Sequence, residues 1–241
     1  HLHHVDGQAA LDRDNVAPSW TSAGDRITFV SNRDGDYNWY AMRADGSGTP
    51  EPLFAQSQGM SLTRSAWSPD GRYLAYGRGS LRGSDIWLHE PGGAAEPHPL
   101  IMTAAIESAP AFSPDGRLIA YQSDESGAVE IYVRPFPETE TRRDLISRSG
   151  GQRPVWSTDG SEVFYFAEDG VMRVPVTAGA DGVPRFGQPS LLFEMSGIRN
   201  FDGSPDGQSF AIERLPIETV AREIHVVLNW FEELKRLVPV N

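Results

Sequence analysis

The chain has 241 residues, no cysteine and a formal charge of −12, from 21 Lys+Arg against 33 Asp+Glu. That length suits one large all-β domain or two ordinary ones, and the missing cysteines exclude disulfides and thiolate metal sites. An acidic surface repels phosphate backbones and anionic lipid, which argues against nucleic acid as a partner. No apolar run of about 18 residues offers a membrane span. His1-Leu2-His3-His4 does not read as a signal peptide but as a tag remnant or the cut end of a longer chain.

Taken in order, the chain repeats itself. The first unit, residues 12–57, carries Pro18-Ser-Trp20-Thr-Ser-Ala-Gly24, then the β-rich runs Arg26–Val30, Trp39–Met42 and Glu51–Phe54. The second, 58–103, carries Ala66-Trp67-Ser-Pro-Asp-Gly71, then Tyr73–Tyr76, Ile86–Leu88 and Pro99–Ile101. The third, 104–147, has Phe112-Ser-Pro-Asp-Gly116, then Leu118–Tyr121, Ile131–Val133 and Arg143–Ile146. The fourth, 148–195, has Trp156-Ser-Thr-Asp-Gly160, then Val163–Phe166, Met172–Val174 and Ser190–Phe193. The fifth, 196–241, is weaker: Phe201-Asp-Gly-Ser-Pro-Asp-Gly207, then Ser209–Ile212 and Ile224–Leu228. A three-residue recurrence of Phe231, Leu234 and Leu237 predicts a short C-terminal helix.

The motif glycines recur every 44 to 47 residues. Short β-branched and aromatic runs at that period, bounded by Gly, Pro, Asp and Ser, predict four-stranded antiparallel propeller blades. The whole chain then forms one all-β domain, a β-propeller of five blades, or of six or more with part missing. In the five-bladed form residues 1–11 supply the strand that the last blade lacks, which removes exposed sheet edges. The Ser-Pro-Asp-Gly element reads as a turn: Pro presets φ, Asp bonds backbone amides and Gly accepts positive φ. The preceding aromatic reads as a wedge between blades.

Trp67-Ser-Pro-Asp-Gly-Arg-Tyr-Leu-Ala-Tyr76, Phe112-Ser-Pro-Asp-Gly-Arg-Leu-Ile-Ala-Tyr121, Ser123-Asp-Glu-Ser-Gly127 and Ile131-Tyr-Val133 resemble the WD40-like (PD40) repeats of TolB-type propellers. Val133-Arg-Pro-Phe-Pro137, Gly151-Gln-Arg-Pro-Val-Trp156 and Val227-Leu-Asn-Trp-Phe-Glu-Glu-Leu234 resemble the C-terminal propeller of bacterial receptor-type serine/threonine kinases. That second resemblance implies an extracytoplasmic sensor or interaction region, periplasmic or at the cell surface, of a larger bacterial protein. The kinase motifs themselves are missing from this sequence.

Catalytic signatures are equally sparse. There is no Gly-x-Ser-x-Gly and no His-Glu-x-x-His, and the six histidines form no ligand pattern. Asp34, Asp36 and Asn38 alternate oxygen-bearing side chains as a weak calcium candidate, but Arg43 stands where an EF-hand places its bidentate Glu. No cofactor and no catalytic residue is expected, and the chain is read as no enzyme.

A binding surface is expected where the inner strands begin, at one mouth of the channel. The residues there are Asn15, Arg64, Glu107, Arg153, Arg199 and Asn200. Arginines bind carboxylate or phosphate bidentately, which suits an anionic group or a peptide C-terminus; the competing expectation pairs them with Glu107 and loop acids. The leading reading is a non-catalytic propeller binding protein, peptide or glycan, monomeric if the ring closes and otherwise oligomeric. The alternatives are a carbohydrate-active propeller enzyme, a lyase or hydrolase, and a structural spacer.

Overall fold

In the computed structural model the described residues are 15–54, 61–80, 83–93, 95–179, 182–195, 198–203, 210–214 and 224–227; side chains are described up to 195, except at 61–63 and 80. The expected C-terminal helix, the turn at 204–207 and residues 1–11 lie outside them.

The sheets follow the repeat. β1 (Asn15–Trp20), β2 (Arg26–Asp34), β3 (Asp36–Arg43) and β4 (Glu51–Phe54) form one antiparallel sheet. β5 (Ser61–Trp67), β6 (Leu74–Ser80), β7 (Gly83–His89) and β8 (His98–Ile101) form the second. β9 (Glu107–Phe112), β10 (Leu118–Ser123), β11 (Glu130–Pro135) and β12 (Asp144–Leu145) form the third. The fourth has β13 (Gln152–Trp156), β14 (Glu162–Ala167), β15 (Gly170–Ala178), β16 (Pro184–Phe186) and β17 (Ser190–Glu194). β15 is long enough to pair with β17 along its first half and with β16 along its second. The repeat pattern anticipates β17 and not β16. β18 (Ile198–Gly203), β19 (Phe210–Arg214) and β20 (Ile224–Val227) form the fifth among the described residues.

The sheets stack face against face, and the period of two along each strand serves two joins at once. In the third sheet Ile119, Tyr121 and Tyr132 pack on Ala75, Ile86 and Leu88 of the second. Their strand neighbours Ala120, Ile131 and Val133 pack on Val163, Tyr165 and Val174 of the fourth. Sheets covered on both faces read as continuous apolar runs, which explains the unbroken Leu-Ile-Ala-Tyr and Ile-Tyr-Val segments.

The wedge aromatics fasten these joins. Trp67 Nε1 donates to Thr28 Oγ1 of the first sheet at 3.1 Å, and Trp156 Nε1 donates to the Ala111 carbonyl of the third at 3.1 Å. Phe112 meets Phe136 edge-on at 4.9 Å and joins the cluster with the second sheet. Each wedge thus packs on the sheet before it. Trp20, at the same register in the first sheet, is 57% exposed.

The turn chemistry matches its sequence reading and adds a role for serine. Asp70, Asp115 and Asp159 each accept both the motif hydroxyl, Ser68, Ser113 or Ser157, and the amide two residues on. Each of those serines accepts in turn the amide five residues on, at 2.9 Å. In the first repeat, which lacks the motif Asp, Thr21 takes the serine's place and donates to Asp25 at 3.1 Å. Neighbouring turns nest: a Cβ on Gly116 would lie 3.6 Å from Pro69, and one on Gly160 3.5 Å from Pro114.

Candidate ligand-binding face

β1, β5, β9, β13 and β18 lie side by side in succession, which makes them the inner strands of the propeller. β1, β5, β9 and β13 each end in their wedge position and turn. Antiparallel connectivity puts those turns on one face and the strand starts on the other, with the hairpins β2–β3, β6–β7, β10–β11 and β14–β15.

Every inner strand bulges just after it starts. The register slips between 16 and 19, 62 and 65, 108 and 111, 152 and 155, and 198 and 200. Ala17, Ala109 and Arg153 occupy the slip with φ of 53°, 51° and 54°, and each precedes a proline. Proline brings no N–H to the ladder and bars the helical region to the residue before it, so the strand bulges there. A left-handed non-glycine residue costs about 1–2 kcal/mol. Bulges re-aim side chains, and the same strained device recurs at one register of three inner strands.

Arg64, Arg153 and Asn200 share that register, three residues before the wedge position, while Asn15 and Glu107 stand two residues earlier. All six expected mouth residues therefore lie at the starting ends of inner strands. For Arg199 and Asn200 this placement concerns the backbone of β18 only. Asn15 Oδ1 accepts from Arg33 at 3.1 Å. The Arg153 amide donates to Gln122 Oε1 at 3.0 Å, and its guanidinium lies 5.7 Å from the Phe166 ring centre.

Two cations on this face escape the repeat argument. Arg33 lies 4.6 Å over Tyr40 and 5.0 Å over Phe29, and Arg78 lies 4.1 Å over Trp87. Both sit at the outer end of second strands, so a search confined to the residues preceding the motif passes them by. An Arg nine residues after Gly24 and seven after Gly71, each near aromatic runs, was the available signal. Stacking leaves the edges of a guanidinium for hydrogen bonds, and Arg33 places two of its donors within the fold, on Ser31 Oγ at 3.2 Å and Asn15 Oδ1 at 3.1 Å.

Glu107 corrects the expectation that it neutralises the arginines. It is fully buried, and its Oε1 accepts the Thr103 hydroxyl at 2.5 Å and lies 3.5 Å from the Ser123 hydroxyl. Burial, with Asp85 and Glu125 nearby, pushes its pKa above the usual carboxylate value. Asp34 accepts the Tyr40 hydroxyl at 2.6 Å, and the Asn38 amide donates to the Asp36 carbonyl. These bonds occupy two members of the calcium candidate. Among the described residues no three His, Cys, Asp or Glu side chains gather to hold a metal.

No family model matches the chain. A 113-residue stretch, 43% of this chain, is 30% identical to the "Uncharacterized peptidase YuxL" of Bacillus subtilis and covers 17% of it. Among solved structures, TolB from Acinetobacter baumannii superposes with a TM-score of 0.60 at 18% identity, over 85% of this chain and 49% of that one. A puromycin-hydrolyzing peptidase of Mycobacterium tuberculosis gives 0.61 at 15% identity, over 90% of this chain and 36% of that one. A chain of a nidogen/laminin complex gives 0.58 at 11% identity, over 83% of this chain and 72% of that one. The fold is that of a TolB-like β-propeller. The chain spans less than half of the curated relative, of the TolB structure and of the mycobacterial peptidase. The reading of the chain as no enzyme is corrected here: its curated relative is named a peptidase, and so is one of its structural neighbours.

Proposed function

We propose that this propeller binds peptide or protein segments at the face where its inner strands begin, and that it does so in the service of peptidase-type chemistry. The observation that supports the reading is the repeated bulge, which falls at Arg64 and Arg153 in β5 and β13 and at Arg199, just before Asn200, in the backbone of β18. Arg33 and Arg78 add stacked guanidiniums on the same side. Such a face offers donors to the carbonyls and carboxylates of an extended peptide. The peptidase names of two similar proteins, and the protein–protein complex that holds a third, support peptide and protein as the ligand class. An extracytoplasmic location belongs to the same proposal, with the likeness to TolB as its support. A kinase-linked sensor role rests on the Val133–Pro137, Gly151–Trp156 and Val227–Leu234 resemblances alone, and none of the similar proteins named above is described as a kinase.

The test is a thermal-shift screen of short peptides with free or amidated C-termini, followed by a hydrolysis assay on the peptides that bind. A ligand binding only the folded state at about 100 times its Kd raises stability by about 2.7 kcal/mol. Shifts by peptides that Arg64→Ala and Arg153→Ala reduce support the reading. Shifts by oligosaccharides alone would replace it with the carbohydrate reading.

A further inference from the structure

The second sheet places an ionisable ring in its join with the first. Leu74 and Tyr76 of β6 and Trp87 of β7 pack there against Val30, Trp39 and Phe54 of the first sheet. His89, at the end of β7, stands directly opposite Leu74 and so shares its side of the sheet. It is 8% exposed, and its ring centre lies 4.2 Å from that of Phe54 in β4. Its Nδ1 is buried and has no hydrogen-bond partner among the described residues. A neutral imidazole tolerates this, because it can carry its proton on Nε2 and leave Nδ1 bare. An imidazolium carries a proton on both nitrogens, and the one on Nδ1 then needs an acceptor that the join does not supply.

We propose that His89 is an acid-sensitive latch between the first two sheets: neutral, it seals the join, and protonated, it loosens it. A cation beside Phe54 gains from the ring quadrupole, but a buried N–H without an acceptor loses more. Burial accordingly holds the proton affinity of His89 below the ordinary value of 6.5, while Glu96 in the β7–β8 loop acts the other way. The remaining charged groups of the packed elements are engaged or turned to solvent. Arg72 pairs with Glu90 at 3.2 Å, Arg26 with Glu51 of β4 at 2.7 Å, and His98 of β8 is exposed. Arg78 lies over Trp87, Asp85 stands towards the other end of β7, and the phenol ring of Tyr76 meets Phe54 at 5.6 Å. A group whose proton affinity falls on folding supports the fold above about pH 6.5 and withdraws that support as the pH drops below it. Arg33 stands on one of these sheets and Arg78 on the other, so a looser join reaches the face that carries both. The latch itself belongs to the core and does not depend on that face having a ligand.

Amide hydrogen exchange of the wild-type chain, His89→Phe and His98→Gln, followed from about pH 7.5 to about pH 5.5, tests the latch. Corrected for the intrinsic pH dependence of exchange, protection in β4 and β7 of the wild type should fall at least about threefold over that range, with β10 and β11 unchanged. His89→Phe keeps an aromatic ring against Phe54 and should abolish the fall. His98→Gln removes an exposed imidazole from the same sheet and should leave the fall intact. Should His89→Phe fail to fold, the imidazole nitrogen NMR spectrum of the wild-type chain decides. His89 is expected to stay neutral, with its proton on Nε2, at the pH where His98 is half protonated. A fall in protection that survives in His89→Phe, one that reaches β10 and β11 equally, or a His89 ring that protonates as readily as His98, would overturn the latch.

Discussion

The indole nitrogen of Trp67 and the hydroxyl of Thr28 are joined at 3.1 Å across the boundary between the first two sheets. Thr28 is fully buried, and its hydroxyl also donates to the Ser19 carbonyl at 3.2 Å. Trp67→Phe keeps most of the wedge and loses the bond, which predicts a cost of about 1 kcal/mol. Trp67→Ala removes the wedge and should cost about 3 kcal/mol. Urea unfolding measures both; equal stability of Trp67→Phe and wild type would remove the hydrogen bond from the account.

Gly24 and Gly71 share φ near 70°, but a Cβ on Gly24 meets nothing within 4 Å, while one on Gly71 lies 2.6 Å from Ser22 Oγ. Both alanine variants carry the left-handed cost of about 1–2 kcal/mol. Gly71→Ala should lose more, and the excess should vanish in a Ser22→Ala background. Chemical denaturation of the four proteins decides it.

Ala109 sits at φ 51° in a buried stretch of β9. Ala109→Gly relieves that strain and loosens the unfolded chain in return, for which glycine costs about 0.4–1 kcal/mol. The expected net change is a small stabilisation, about 0.5 kcal/mol. A loss of more than about 1 kcal/mol in urea unfolding would show that the bulge stores no strain.

Asp159 is held down to about 2 by the Ser161 amide and the hydroxyls of Ser161 and Ser157. Its folded pKa lies below the ordinary 3.8, so its contribution is complete above about pH 4 and fades as pH falls towards 2. Asp159→Asn should flatten the stability profile in that window alone. A carboxyl carbon titration by NMR with a midpoint near 3.8 would contradict the bonding pattern.

The repeat made the fold legible, because each structural need recurs with the same residue types: Pro and Gly for the turn, an aromatic for the wedge. Thr21 and Asp25 kept the first turn working without the motif, a substitution visible only once the bonds are seen. β16 was hidden because it pairs with the overhanging end of β15, a tertiary length match with no local signal. The period placed Arg64 and Arg153 at the starting ends of inner strands, while Arg33 and Arg78 lie outside that register and no repeat argument points to them. The partners of Glu107 depend on the connector at 102–106 folding back over β9, which periodicity does not encode.

The most direct test of the central claim is peptide binding by the double variant Arg64→Ala, Arg153→Ala, read by fluorescence anisotropy against the wild-type chain with the best peptide from the screen. The account predicts an affinity at least tenfold weaker, with Tm unchanged within a few degrees. Unchanged affinity in a folded variant would contradict it, and the bulged inner strands would then serve the fold alone.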